Sequence, residues 1–359
     1  MLILILDYSI IGFSTIYFPI ESTWISFEGT TLIHTYCDFD QCLGTAENRY
    51  FGEGYLRVTR AVSGIEINQD EQKFSGIGHI EHSGSWSKKG NEEQEAHLSS
   101  VDAILLAWHL CESFIEAEFS LSALEMGNAW VCEISVRAGS QPLTALSAFG
   151  ISGALVSVND DATTSGSTYR CTIGPLVVDL TVRHPTGNRH STTKQPNGMT
   201  KSLTQRHECP TPLPTPVRLT QVVVDTEKAT SAATFQVDAL HNRTEEGLEA
   251  AYSSGVSIVD AVVLVAQLAQ TYLYTMDNLD RADSNTLWMR RIQISIATPV
   301  RAPQGEVTVT INAANPKTLD MRSAGVWRLS DFELHDYCGI SGKTSVAHQL
   351  VSVESGVTS

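Results

Sequence analysis

Ser99-Ser100-Val101-Asp102-Ala103-Ile104-Leu105-Leu106-Ala107-Trp108-His109-Leu110 returns later in the chain as Ser257-Ile258-Val259-Asp260-Ala261-Val262-Val263-Leu264-Val265-Ala266-Gln267-Leu268. The spacing from Asp102 to Asp260 is 158 residues. Trp130 falls on Trp288, Ile134 on Ile292 and Tyr169-Arg170 on Trp327-Arg328 at the same spacing. A period this long marks a duplicated domain rather than a solenoid array, whose units are much shorter. Two copies of one fold meet at a pseudo-symmetric interface, and pockets form at such interfaces.

Each copy carries the same order of elements. The run from Val101 to Phe119 has no Gly or Pro and is apolar nearly all round, which predicts a buried helix. Its counterpart is Val259 to Tyr274. Alternating segments predict strands at Tyr55–Val62, Trp130–Arg137, Ala154–Val158 and Leu176–Val182 in the first copy. In the second they fall at Leu219–Asp225, Ala233–Leu240, Met289–Ala297, Val307–Ala313 and Val326–His335. A long helix wrapped by an antiparallel sheet is the hotdog arrangement. The expected fold class is therefore α+β, a double hotdog of two tandem copies.

The expected divisions are an atypical N-terminal extension at residues 1–37, a first repeat with its lead-in at 38–182, a Pro/Thr-rich linker at 183–217, a second repeat at 218–345 and a tail at 346–359. Met1 to Cys37 is apolar and has no Lys or Arg, so it lacks the positive start of a secretory signal. Asp7, Pro19 and Glu21 interrupt it as a membrane span. An edge strand pair and an upstream stretch from a misassigned start are the two readings; the change of character at Asp38-Phe39-Asp40 favours the second, which makes residues 1–37 dispensable. The two helices are expected to pair across a continuous sheet, with the linker outside it, because joining two sheet edges protects both.

With 359 residues, 42% hydrophobic and 18% charged, the chain has room for about two globular domains. A net charge of −16 leaves no broad basic surface, which argues against nucleic acid and against a polybasic membrane anchor. Seven scattered cysteines without a CxxC read most simply as free thiols in a reducing cytoplasm. No cofactor fingerprint, P-loop, HExxH or nucleophile elbow is present, so neither a cofactor nor a metal is expected.

Asp102 and Asp260 sit in the first helical turn, each three residues after a serine. That spacing fits a capping box, in which the acid satisfies a free backbone N–H and complements the helix dipole. The alternative is an acid/base carboxylate, as hotdog dehydratases place near the start of this helix. His109 and its counterpart Gln267 lie two turns further along, as core polar groups or as pocket lining. His79 and His82 share a strand at a spacing that puts them on opposite faces, so one of them at most points inward. His79, His82 or His241 is the candidate general acid/base histidine. Cys111, in the helix next to Glu112, reads as a buried, inert thiol.

The chain resembles the avirulence D (AvrD) family of plant-associated bacteria. The resemblance rests on Leu43-Gly44-x-x-Glu47-Asn48-Arg49-Tyr50-Phe51-Gly52-x-Gly54-Tyr55-x-Arg57-Val58, on His79-Ile80-x-His82 through Trp86-Ser87-Lys88-Lys89-Gly90, and on His97-Leu98-Ser99-Ser100-Val101-Asp102-Ala103. It covers roughly residues 38–345. It implies a role like that of the enzymes that begin butyrolactone signal synthesis: joining a β-ketoacyl thioester, carried by an acyl carrier protein or coenzyme A, to a small sugar such as xylulose, on the way to syringolide-type elicitors. A dehydratase or thioesterase on acyl thioesters, and a non-catalytic acyl-binding protein, are the competing readings. The resemblance assigns no role to single residues. Asp102, His79, His82, His109 and Asp260 are the catalytic candidates, and Gln267, Lys88, Lys89, Trp130 and Trp288 the substrate-binding ones. An acidic carrier would need a local basic patch on this acidic chain; Lys88, Lys89, Arg290 and Arg291 are the candidates. Association as a homodimer is compatible with the fold.

Overall fold

The computed structural model describes residues 23–25, 32–161, 164–187, 200–203, 205–212, 214–215, 217–237, 246–285, 287–320 and 325–350. In chain order the strands are β1 (Thr23–Ile25), β2 (Leu32–Tyr36), β3 (Val58–Asn68), β4 (Lys73–His82), β5 (Lys88–Lys89), β6 (Glu92–Glu93), β7 (Trp130–Arg137), β8 (Phe149–Asp160), β9 (Thr164–Ile173), β10 (Leu176–Pro185), β11 (Thr200–Leu203), β12 (His207–Glu208), β13 (Val217–Asp225), β14 (Thr230–Val237), β15 (Leu287–Ile296), β16 (Glu306–Asp320), β17 (Val326–Tyr337) and β18 (Ile340–Gln349). The helices are α1 (Asp40–Leu43), α2 (Ser100–Phe119), α3 (Ala123–Gly127) and α4 (Ile258–Asp277).

Sixteen strands form one continuous antiparallel sheet. Its first half runs β7-β10-β9-β8-β4-β3 outward from the centre and its second half β15-β18-β17-β16-β14-β13. These are the same elements in the same spatial order. The fold is a double hotdog, with α2 packed against one half of the sheet and α4 against the other.

The halves join through β7 and β15, where Ser135 pairs with Gln293 and Ile134 with Ile294. Gln293 is the counterpart of Ser135 at the spacing of 158, so the pseudo-twofold axis passes through that pair. The seam is isologous, as a symmetric dimer interface would be. Ile134, Val136, Ile292 and Ile294 are buried on its inner face.

The helices start and stop for local reasons. Ser99 accepts the Asp102 N–H at 3.1 Å while Asp102 accepts the Ser99 N–H at 2.9 Å. Ser257 and Asp260 repeat the box at 3.0 and 2.9 Å. Ser120 (φ 52) and Asn278 (φ 50) end the helices in left-handed conformations. Among the described residues α4 is the one helix long and apolar enough to cross a membrane, and it is a core helix here.

The structure departs from the sequence reading in four places. The 183–217 stretch does not stay outside the sheet: β11 and β12 pair with β3 and cover its free edge. The N-terminal stretch is not separate from the fold, because β2 pairs with β13 and β1 with β2. The second copy runs past residue 345, since β18 continues to Gln349 with Val346 and Ala347 buried. Finally, the spacing between the copies does not stay at 158. The β9–β10 hairpin closes on Ile173 and Leu176, and the β17–β18 hairpin on Tyr337 and Ile340, a spacing of 164. Tyr169-Arg170 and Trp327-Arg328 are therefore not structural equivalents. The six extra residues enter after β15, in the longer β16 and its connection to β17.

Candidate functional site

A cavity of about 1010 Å³ lies between the two halves. One wall is α4, contributing Ala261, Val262, Val265, Ala266, Ala269, Gln270 and Tyr274. From Ala261 to Tyr274 that wall extends roughly 20 Å at the helical rise per residue. Ile292 and Ile294 of β15 and Leu334 of β17 complete an apolar end. The other end is polar and is made by the turn leading into α2 (His97–Ser100), by Arg49 and Tyr50, by Lys89 on the β5–β6 hairpin and by Arg281.

The pseudo-symmetric position in the other half is filled. Trp108 of α2 stands where α4 has Ala266, and Glu112 where α4 has Gln270. Residues 247–252 close the remaining space. Leu248 donates its N–H to Glu112 at 2.9 Å, and a Cβ on Gly247, at φ +89, would fall on the Glu112 carboxylate. Glu249 is buried in an ion pair with Arg301 and accepts the Val131 N–H at 2.9 Å. Arg301 is the counterpart of Leu143, which lines the open cavity. The backbone pairing around it is kept: Leu98 N–H to Leu143 O at 2.9 Å in one half, Val256 N–H to Arg301 O at 2.9 Å in the other. The same backbone thus frames a cavity in one half and a plugged core in the other, and side chains decide which.

At the polar end, an aromatic series runs Tyr50, Trp86, His97, Trp288, with ring centroids 4.9, 4.5 and 5.8 Å apart. His97 Nδ1 lies 3.1 Å from the Glu95 carbonyl oxygen. Donation from Nδ1–H to that carbonyl leaves the lone pair on Nε2. The Tyr50 hydroxyl is 2.5 Å from Ser99 Oγ and donates to Asp102 Oδ1 at 3.2 Å. Burial, then the charge of Asp102, raises the Tyr50 phenol well above its ordinary value, so it stays protonated. In the first turn of α2, the Ser100 and Val101 N–H groups have no acceptor within the helix.

Three cations meet near this end. Arg49, 3% exposed, donates to Gln267 Oε1 and Asp40 Oδ1, both at 2.5 Å, and its buried Nε has no partner among the described residues. Arg281 donates to Lys88 O at 2.6 Å and Ser87 Oγ at 3.1 Å. Lys89 Nζ is held by Ser284 O at 2.8 Å and Asn285 O at 2.6 Å. Burial first, and then Arg281, lowers the Lys89 ammonium to about 8.

Among the residues singled out in the sequence, Lys89 and Trp288 line the cavity, and Gln267 holds Arg49 from behind. Asp102 lies behind Tyr50, fully buried in an ion pair with Arg60 at 2.7 Å. His82 faces the same region; burial holds it below its ordinary pKa, against the pull of Asp102, and its Nε2 has no partner among the described residues. Asp260 accepts from Thr215 Oγ1 at 2.9 Å and does not line the cavity. His79 lies on the opposite face of β4 from His82, against Ser63 Oγ at 2.7 Å and Ser147 O at 2.6 Å. His109 sits in the plugged half, 3.9 Å from Glu112. Lys88 contributes its carbonyl to Arg281, and Trp130 lies outside the cavity. His241 is outside the described residues. Arg49, Tyr50, His97 and Arg281 were not among the candidates. The first three stand in the quoted family-like motifs, while nothing in the sequence marks Arg281.

The Pseudomonas avirulence D protein (AvrD) family model matches residues 34–351. The chain belongs to the AvrD family. No curated protein matches it in sequence. Among solved structures it is similar to an acyl-CoA thioesterase II, TesB2, from Mycobacterium marinum (9% identity, TM-score 0.36, covering 79% of this chain and 93% of that one). It is also similar to an acyl-ACP thioesterase from Bacteroides thetaiotaomicron (6%, TM-score 0.38, 79% and 100%). A third is the dehydratase domain of RzxB from Pseudomonas fluorescens (10%, TM-score 0.34, 77% and 94%). The AvrD assignment begins four residues before the boundary expected from the sequence, within β2.

Proposed function

We propose that this AvrD protein is an acyl-transfer and condensation enzyme that joins a β-ketoacyl thioester to a small sugar-type acceptor such as xylulose. The observation that carries the reading is the two-ended cavity: an apolar wall along α4, and a polar end at the start of α2. An acyl chain fits the first. The thioester carbonyl then meets the unpaired N–H groups of the α2 first turn, which stabilise charge developing on its oxygen.

In this reading His97 Nε2 takes the proton from an acceptor hydroxyl. The alkoxide attacks the thioester carbonyl carbon, and the departing thiolate recovers the proton from His97. Arg49 and Arg281 hold acceptor oxygens through charge-assisted hydrogen bonds. Ring closure follows as the acidic carbon between the two carbonyls attacks the ketone of the acceptor, with loss of water. Asp102 acts at one remove, orienting Tyr50 and Ser99. The donor is an acyl carrier protein or coenzyme A thioester, and the free cysteines suit a reducing cytoplasm.

The test is a loading assay. A β-ketoacyl carrier protein is incubated with the protein, with and without the sugar, and followed by intact mass. Sugar-dependent loss of the acyl group supports the proposal. Loss to water alone supports a thioesterase, and no loss supports a binding protein.

A further inference from the structure

Where β7 meets β15, the outer face of the sheet carries a concentration of arginine. Arg137 and Arg291 are directly opposed in the pairing register, and both are exposed. Arg170, on β9, shares Asp179 with Arg137: Arg170 Nε lies 2.7 Å and Arg137 Nη2 3.2 Å from its carboxylate. Arg290 is exposed at the bulge of β15 and lines the rim of the cavity. Neither Arg290 nor Arg291 has a carboxylate partner among the described residues. Glu133, on the same face of β7, stands four residues from Arg137, in the middle of the strand.

Two of these four guanidinium groups therefore share one carboxylate and the other two have none among the described residues, in a chain whose net charge is −16. Like charges directly opposite on a sheet destabilise it, so this placement is unfavourable until an anion arrives. The patch is also continuous with the cavity, because Ala138, which begins the lining loop 138–143, donates its N–H to the Arg290 carbonyl at 3.1 Å.

We propose that this arginine patch docks the acidic surface of an acyl carrier protein and brings its pantetheine arm to the cavity rim at Arg290. The inference rests on the thioester-donor reading above and names the form in which the donor arrives. The chain as a whole repels an acidic partner; the patch supplies a local attraction that also fixes orientation.

The test uses the whole protein, an acidic acyl carrier protein, and the double variant Arg170→Glu/Arg291→Glu, neither position of which touches the cavity. Affinity is measured by calorimetry at two salt concentrations. Turnover is measured in parallel with a β-ketoacyl N-acetylcysteamine thioester, a donor without a carrier. The expected result is carrier binding that weakens with salt and falls roughly 10–100-fold in the double variant. The glutamate variant should still unfold cooperatively, with turnover of the small thioester unchanged, and Arg170→Lys/Arg291→Lys should bind as the parent does. A parent protein that does not bind the carrier, or a glutamate variant that binds it equally well, overturns the docking proposal. Charge-sensitive carrier binding without turnover of either donor leaves docking standing and overturns the enzymatic reading.

Discussion

Asp102 and Asp260 look alike in the sequence and differ in the fold. Both close a capping box, but only Asp102 neutralises a buried arginine. Arg60 is 1% exposed and also donates to Val58 O and Tyr55 O, each at 3.1 Å. Asp102→Asn would strand that charge and should cost about 3–5 kcal/mol. Asp260→Asn should cost about 1 kcal/mol or less, because Asn still accepts the cap hydrogen bond. Denaturant unfolding of both variants checks this, and equal losses would contradict it. His97→Gln keeps ring-sized polar bulk at the cavity and should leave stability intact while lowering turnover roughly 10²–10⁴-fold. Unchanged turnover would remove His97 from the mechanism. The sequence showed the caps because they are local, three residues apart. It could not show Arg60 or Tyr50 as partners of Asp102, since only strand pairing and helix packing bring residues 42 and 52 positions away to the carboxylate.

Two elements behave unlike their plain sequence reading. The first is α2 with its plug. Burial, with Glu116 adding and the Leu248 N–H opposing, raises Glu112 from 4.5 to about 7. The folded chain therefore keeps a proton that the unfolded chain loses between those values. The stability this contributes is full below pH 4.5 and is lost as the pH rises through 7. His109 shifts the other way, from 6.5 to about 4, through burial and then His207, and its effect lies below its ordinary value. Glu112→Gln removes the first titration and keeps the second. Its stability relative to the parent should rise between pH 4.5 and 7, by about 3 kcal/mol at most, and level off above. A pH-independent difference would contradict the assignment. The second element is the N-terminal strand pair. The sequence reading makes residues 1–37 dispensable, whereas β2 extends the sheet beyond β13 and Tyr36 meets Thr275 of α4 at 3.2 Å. A chain beginning at Asp38 should therefore melt several degrees below the full chain. An unchanged melting temperature would show that β2 contributes nothing. A stretch without Lys or Arg and without a clear alternation gave no period to mark the strand, so composition alone pointed the wrong way.

At the scale of the whole molecule, duplication was legible because the helices and the seam strands tolerate no slip. Their spacing of 158 puts Ser135 against Gln293 on the axis. The asymmetry was not legible. It depends on Trp108 standing in one copy where the other has Ala266, and on a buried Glu249–Arg301 pair whose partners are 52 residues apart. The proposed function needs one acyl site per chain, along α4, open because position 266 is small. The deciding measurement is calorimetric titration of a non-hydrolysable β-ketoacyl pantetheine thioether into the parent and into Ala266→Trp, which copies the plugged half. The prediction is one molecule bound per chain in the parent and none in the variant, with the variant still folded. Two molecules per chain, or undiminished binding by Ala266→Trp, would contradict it.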